Sequence, residues 1–276
     1  MADIKAADVA KLRKMTGAGM LDCKNALNET GGDFEQAIDI LRKKGQKIAS
    51  KRAEREATEG VVIAITNEQH SKGALVVLNC ETDFVAKNED FVKFAYSIAE
   101  VALKNMPADL DALKALAVDG KNIGEEIINQ TGVIGEKIEL SFYAKEESQY
   151  VMPYIHPGNK LATLVSLNKD NIDIQIAKDV AMQVAAMSPV SVDKNNVPQE
   201  IIEKELEIGR EIAIQEGKPE AIVDKIAEGK LNKFFKENTL LNQQFIKDNK
   251  ISVGDYLKQA DKALTVNSFV RFALNN

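Results

Sequence analysis

The side chains best suited to chemistry in this 276-residue chain are two cysteines, Cys23 and Cys80, and two histidines, His70 and His156. A zinc site needs such residues in closely spaced pairs, and a thiol nucleophile needs an assembled base; here each stands alone in sequence. Packing and loop roles therefore outweigh metal ligation for all four. The chain carries no phosphate loop of the Walker type and no nucleophile elbow. Gly17-Ala18-Gly19 follows a helical pattern rather than a strand and lacks a third glycine, so it is not a dinucleotide fingerprint. No cofactor and no resident metal are expected, and binding is a better reading than side-chain catalysis.

One stretch places unusual residue types together: Cys80-Glu81-Thr82-Asp83-Phe84-Val85-Ala86-Lys87-Asn88-Glu89-Asp90-Phe91. It sets a carboxylate beside an aromatic ring where the chain must turn, and turns ordinarily favour Gly, Pro, Asn, Asp and Ser. Phe84 reads two ways. Spacing alone favours a ring folded back onto the core. The alternative is an anchor offered to a partner, because interface hot spots favour aromatics.

The elements on either side are legible. Ala74 to Leu78 is a short apolar run that reads as a buried strand. After the turn, Asn88 is a good N-cap, Glu89 and Asp90 suit the positive helix end, and Phe91, Ala95, Ile98 and Ala102 share one face.

Composition bounds the rest. Hydrophobic content of 45% with 28% charged residues is that of a globular chain long enough for two domains. A net charge of −6 argues against a protein that neutralises many phosphates, so no direct nucleic-acid binding is expected. Two cysteines cannot build a disulfide framework, no apolar run reaches membrane-spanning length, and no signal or transit segment is recognisable. A cytoplasmic protein with no membrane contact is the expectation.

In chain order, residues 1–46 predict three short helices: Val9, Leu12 and Met15 on the first, about Leu21 to Leu27 for the second, and a third capped by Asp33 and ended by Gly45. Residues 47–59 form a charged linker, read as a solvated helical extension with i,i+4 pairs, although some of its basic groups could meet an acidic partner. Residues 60–145 predict strands at Val61–Thr66 and Ala74–Cys80, the turn and its helix, two shorter helices, and a strand alternating through Ile138, Leu140 and Phe142. Residues 146–276 repeat that plan with strands Tyr150–Ile155 and Leu161–Leu167, a helix, and Ser188-Pro189 where the first copy has Met106-Pro107. The second copy has Asn168-Lys169-Asp170 in place of the Asp-Phe pair. Inserted at about 198–238 is an antiparallel helical hairpin around Gly217-Lys218-Pro219, with a seam of Ile201, Leu206, Ile208, Ile212, Ile222, Ile226 and Phe234. A helix capped by Ser252 and a strand through Val266, Ser268, Val270 and Phe272 complete an α+β chain; that strand is expected to join the second sheet.

Two segments carry a family resemblance. Val9-Ala10-Lys11-Leu12-Arg13 with Thr16-Gly17-Ala18-Gly19-Met20-Leu21-Asp22-Cys23-Lys24 resembles the N-terminal signature of elongation factor Ts, and Thr82-Asp83-Phe84-Val85-Ala86-Lys87 resembles its second signature. The resemblance implies a ubiquitin-associated-like three-helix domain, a core of two related α/β subdomains and a protruding helical hairpin. It implies nucleotide exchange on the translational GTPase elongation factor Tu, met in its GDP-bound and nucleotide-free forms. Thr82, Asp83, Phe84 and Val85 match the exchange wedge, with Phe84 entering the GTPase near its magnesium site and Asp83 disturbing the ion's water shell. Arg13, Met20 and Leu21 match N-terminal positions that touch the same partner domain, and Lys51 and His156 are further contact candidates. Many bacterial members continue past Leu274 into a helical C-terminal module. With the chain ending at Asn276, the N-terminal domain and the Asp83-Phe84 turn are expected to carry more of the coupling.

Two other readings are compatible with the residues alone. An adaptor using its three-helix domain would retain activity in residues 1–55 and would not need Phe84. An enzyme with Cys80 as nucleophile would be silenced by alkylation of that thiol.

Overall fold

The computed structural model describes residues 4–118 and 120–274; Asn276 lies outside the described residues. Helices α1 (Ala6–Thr16), α2 (Met20–Glu29) and α3 (Phe34–Arg52) come first. Gly17 ends α1 in the left-handed region at φ 71°, and Asp33 caps α3 by accepting from Gln36 N–H at 3.0 Å. Val9, Leu12, Cys23, Ala26, Leu27 and Ala37 close a small core between the three helices.

The third helix does not stop at Gly45. It runs to Arg52, and Gly45 lies buried in its middle. Here α3 passes α7 backbone to backbone: a methyl group built on Gly132 would collide with the Gly45 Cα, so Gly45 marks a close helix crossing rather than a helix end. The charged segment beyond it also differs from a freely solvated extension. Arg52 and Arg55 reach across to Glu81 at 2.7 and 3.0 Å, and no i,i+4 ion pair forms within 47–59 among the described residues.

Next come β1 (Glu59–Thr66), β2 (Lys72–Cys80), the one-turn helix α4 (Asp83–Ala86), α5 (Glu89–Asn105), α6 (Leu110–Ala115), β3 (Ala117–Val118), β4 (Lys121–Asn122), α7 (Ile123–Ile134) and β5 (Glu139–Glu147). The chain continues with β6 (Tyr150–Ile155), β7 (Leu161–Leu167), α8 (Ile174–Met187), α9 (Gln199–Gln215), α10 (Glu220–Asn238), β8 (Gln244–Phe245), β9 (Asp248–Ser252), α11 (Val253–Ala260) and β10 (Val266–Ala273). The ribbons β3–β4 and β8–β9 have no sequence signal long enough to predict them.

The larger sheets share one connectivity. In the first the order is β1-β2-β5 and in the second β6-β7-β10, antiparallel throughout, with the hairpin's second strand central in each. The helices after the hairpins end alike: Met106 and Ser188 adopt φ 46° and 44° in the left-handed region, each just before a proline. The sheets pack face to face. Val62, Ala64, Leu75 and Val77 of one meet Val151, Ala162 and Leu164 of the other, while the outer faces are covered by α5–α7 and by α8 with α11. The result is a helix–sheet–sheet–helix sandwich.

Both closing strands break the simple alternation expected of them. In β5 the register shifts opposite Val77 and Leu78, so Leu140 faces the helices while Phe142 enters the layer between the sheets. In β10 a shift between Val266 and Ser268 does the same, sending Val266 to the α8 side and Val270 and Phe272 between the sheets. One extra residue reverses every later side chain, which period-two reading cannot see. The α9–α10 hairpin also packs differently from its expected seam. Its buried contacts are Gly209, Ala213, Val223 and Ala227, while Ile208 and Ile222 are exposed. Gly209 lies against Ala227 so closely that the backbones set the spacing, and the large residues flank the contact.

Candidate functional site

The Asp83-Phe84 pair sits on a helical turn, α4, rather than on an open turn. Thr82 is extended and caps it, its hydroxyl accepting from Val85 N–H at 3.4 Å, and Lys87 N–H returns to Asp83 O at 3.1 Å. Asn88 then caps α5 by accepting from the N–H groups of Asp90 and Phe91. Two caps in succession satisfy the donors that helix starts leave open.

A single helical turn cannot bury all its side chains. Ala86 is buried and Val85 packs against the first core, so Phe84 is turned outward. It is 83% exposed, more than any other large hydrophobic side chain among the described residues. The ring is thus not folded onto the core, contrary to what spacing favoured. Leaving an aromatic ring in water forgoes about 1.5–3 kcal/mol of burial, which a partner surface can recover.

The platform beneath the ring is tied down by two reciprocal carboxylate contacts. Thr82 donates its backbone N–H and its hydroxyl to the Glu136 carboxylate at 3.0 and 2.7 Å. One residue earlier, the Glu81 carboxylate accepts the Lys137 N–H at 2.6 Å, together with Arg52 and Arg55. Burial pushes the Glu81 carboxyl up, but the Lys137 N–H and the two guanidinium groups outweigh it and hold the group at about 2. Sequence alone singles out neither Glu81 nor Glu136: the first is a charged residue directly after a buried strand, and the second follows the glycine that ends α7.

Asp83 is held below the ordinary carboxylate range by its hydrogen bond from Lys87 at 2.6 Å, with Lys160 contributing at longer range. Lys160 itself pairs with Glu59 at 2.7 Å. It follows the loop between β6 and β7, whose Asn159 carbonyl accepts from Val62 N–H at 2.7 Å. The second hairpin loop is therefore docked on β1, the neighbour of the strand β2 that leads to the Asp-Phe turn. His156 lies exposed on that loop, 3.0 Å from the Tyr154 hydroxyl.

Of the N-terminal candidates, Met20 and Leu21 share a groove that Arg13 and Lys51 do not line. Met20 and Leu21 open α2 with 51% and 68% of their surface exposed, and they line a shallow groove with Ile4, Val9 and Lys24. Arg13 lies exposed near the end of α1 and Lys51 in the last turn of α3.

The chemically competent residues remain apart. Cys80 is buried at the end of β2 with its thiol on the Thr82 carbonyl at 3.1 Å, and burial with the nearby Glu136 charge pushes it up to about 12. Such a thiol stays protonated and is a poor nucleophile. His70 stacks on Tyr150 at 4.9 Å, Cys23 is enclosed by the first three helices, and no metal-ligating cluster occurs among the described residues. No helix of the described residues is long and apolar enough to cross a membrane.

Comparison with known proteins places the chain among the translation elongation factors. Residues 81–276 match the family described as Elongation factor TS. Elongation factor Ts of Christiangramia forsetii is 53% identical over 99% of this chain and all of its own length. Those of Azobacteroides pseudotrichonymphae and Porphyromonas gingivalis are 51% and 50% identical, each over 97% of both chains. The chain belongs to the elongation factor Ts family.

Proposed function

We propose that this protein is a guanine nucleotide exchange factor that binds elongation factor Tu and promotes release of its GDP without side-chain catalysis of its own. The observation that carries the reading is the outward Phe84 on its clamped turn, with the ionised Asp83 beside it. Phe84 enters the nucleotide-binding domain of the GTPase near its magnesium site. Asp83 competes for the hydrogen bonds of the ion's water shell. Magnesium tolerates little departure from octahedral geometry, so disturbing that shell loosens the hold on the phosphates.

The turn does not act alone. A ~10⁴-fold acceleration through ground-state destabilisation requires about 5.5 kcal/mol of differential binding. One Phe supplies roughly 1.5–3 kcal/mol before ordering costs. Arg13, Met20 and Leu21 supply a second contact from the N-terminal three-helix domain, whose third helix runs on to Arg52, and Lys51 and His156 add to the footprint. The wedge belongs to a core subdomain over 60–145, and His156 to a second over 146–276. By linkage, the factor binds the nucleotide-free GTPase best, and nucleotide weakens that complex.

Release of a fluorescent GDP analogue from the cognate elongation factor Tu tests this. Strong acceleration by the wild type, largely lost in Phe84→Ala with binding partly retained, supports the assignment. Acceleration unaffected by Phe84→Ala removes the wedge; no acceleration by folded wild type removes the function.

A further inference from the structure

Phe84 has few contacts of its own, so its orientation must be imposed by what holds α4. Glu81 and Thr82, directly before it, do this through Arg52, Glu136 and Lys137, which come from distant parts of the chain. Thr82 immediately precedes the turn, and both its donors end on Glu136. Glu136 directly follows Gly135, the left-handed cap of α7, and α7 crosses α3 at the Gly45–Gly132 contact. From the other end of α3, Arg52 reaches Glu81, which also takes the Lys137 N–H. The helix that leaves the N-terminal bundle is thus joined to the wedge twice: through Arg52 and Glu81, and through α7 and Glu136.

We infer that Glu136, with Glu81, is a positioning residue for Phe84, and that this pair of carboxylates transmits engagement of the N-terminal helices to the wedge. The inference rests on the exchange function proposed above. The geometry favours positioning over simple structural support for two reasons. Both contacts converge on residues 81 and 82, directly before the Asp83-Phe84 pair. The remaining core of the first sheet closes without them, through Val61, Ile63, Val76, Leu78 and Phe91. Thr82 also needs its hydroxyl in two roles, donating to Glu136 and accepting from Val85 N–H, so losing Glu136 frees the cap to rotate.

The test combines Glu136→Ala with Phe84→Ala in a double-mutant cycle, reading maximal GDP release rate and half-saturating concentration separately. Glu136→Ala alone is expected to lower the maximal rate about 10-fold, ~1.4 kcal/mol, with the half-saturating concentration changed less than about twofold. In the Phe84→Ala background it should have almost no further effect. Glu136→Gln retains one acceptor and should recover part of the rate, and it stands in for the alanine variant if that one unfolds. Additive losses in the cycle would overturn the proposal. Amide hydrogen exchange at Ala86 and Lys87 gives a reading that needs no partner: protection there should fall at least tenfold in the Glu136 variants while α5 is unchanged. Unchanged protection at Ala86 and Lys87 also overturns it. Loss of protection with a wild type that fails to accelerate release would count against the exchange function and leave the positioning of the turn intact.

Discussion

Gly45 of α3 and Gly132 of α7 meet backbone to backbone, and the contact is unequal. A methyl group on Gly132 would strike the Gly45 Cα, whereas one on Gly45 would sit at an ordinary 3.5 Å from the Gly132 Cα. Both glycines are inside helices, where alanine is intrinsically preferred by about 1 kcal/mol. Gly45→Ala should therefore be neutral or slightly stabilising, and Gly132→Ala should destabilise by about 1–3 kcal/mol through overpacking. Urea unfolding of the two variants checks the asymmetry. Equal effects would mean that the helices do not cross at this distance.

Phe84 contributes nothing to the core, so its removal should separate stability from function. Phe84→Ala should shift unfolding free energy by less than about 0.5 kcal/mol, as expected for an exposed site. Phe91→Ala, which empties a buried position in the first core, should cost about 3–5 kcal/mol. Thermal melts of the two side by side give the answer, and a large loss from Phe84→Ala would place its ring against the protein.

Glu81 makes a pH prediction whose sign follows from its environment. Its carboxyl is held at about 2 in the folded protein against an ordinary 4.5. The stabilisation is fully present above pH 4.5 and is lost as pH falls from there to about 2. Glu81→Gln should thus lower stability at neutral pH, by about 1 kcal/mol after allowing for solvent screening. The difference from wild type should shrink steadily below pH 4.5. Denaturant midpoints between pH 7 and pH 2.5 measure it; a constant gap would show that the Arg52 and Lys137 contacts do not depend on the charge.

Cys80 should be inert while the protein is folded. A thiol pushed up to about 12 carries only about 10⁻⁴ thiolate at pH 8, against roughly a quarter for a free cysteine. Iodoacetamide should label it at least 100-fold more slowly in native protein than in urea. Rapid native labelling that abolished activity would return the nucleophile reading to consideration.

Much of the chain declared itself locally. Caps and periodicity place α5 from Asn88 and its buried face of Phe91, Ala95, Ile98 and Ala102, because a helix start and an apolar stripe are properties of neighbouring residues. The hairpin strands β1, β2, β6 and β7 are legible for the same reason. The motifs around Met20 and Asp83-Phe84 are contiguous in sequence and carry the resemblance to the family to which the chain belongs.

What required the tertiary structure was every feature set by a residue far away in sequence. Gly45 reads as a helix end until Gly132 is placed against it. The shifts opposite Val77 and beside Val266 reverse Phe142 and Val270 because a partner strand, not local alternation, fixes register. Phe84 reads as core from its type. It is external because a single turn capped by Thr82 and anchored by Ala86 leaves no inward position for it, and because Glu81 and Glu136 are brought to that turn by Arg52, Lys137 and the end of α7. Propensity and capping act over a few residues and are written in the sequence. Close packing and paired carboxylates act across the whole chain, and only the folded protein brings them into contact.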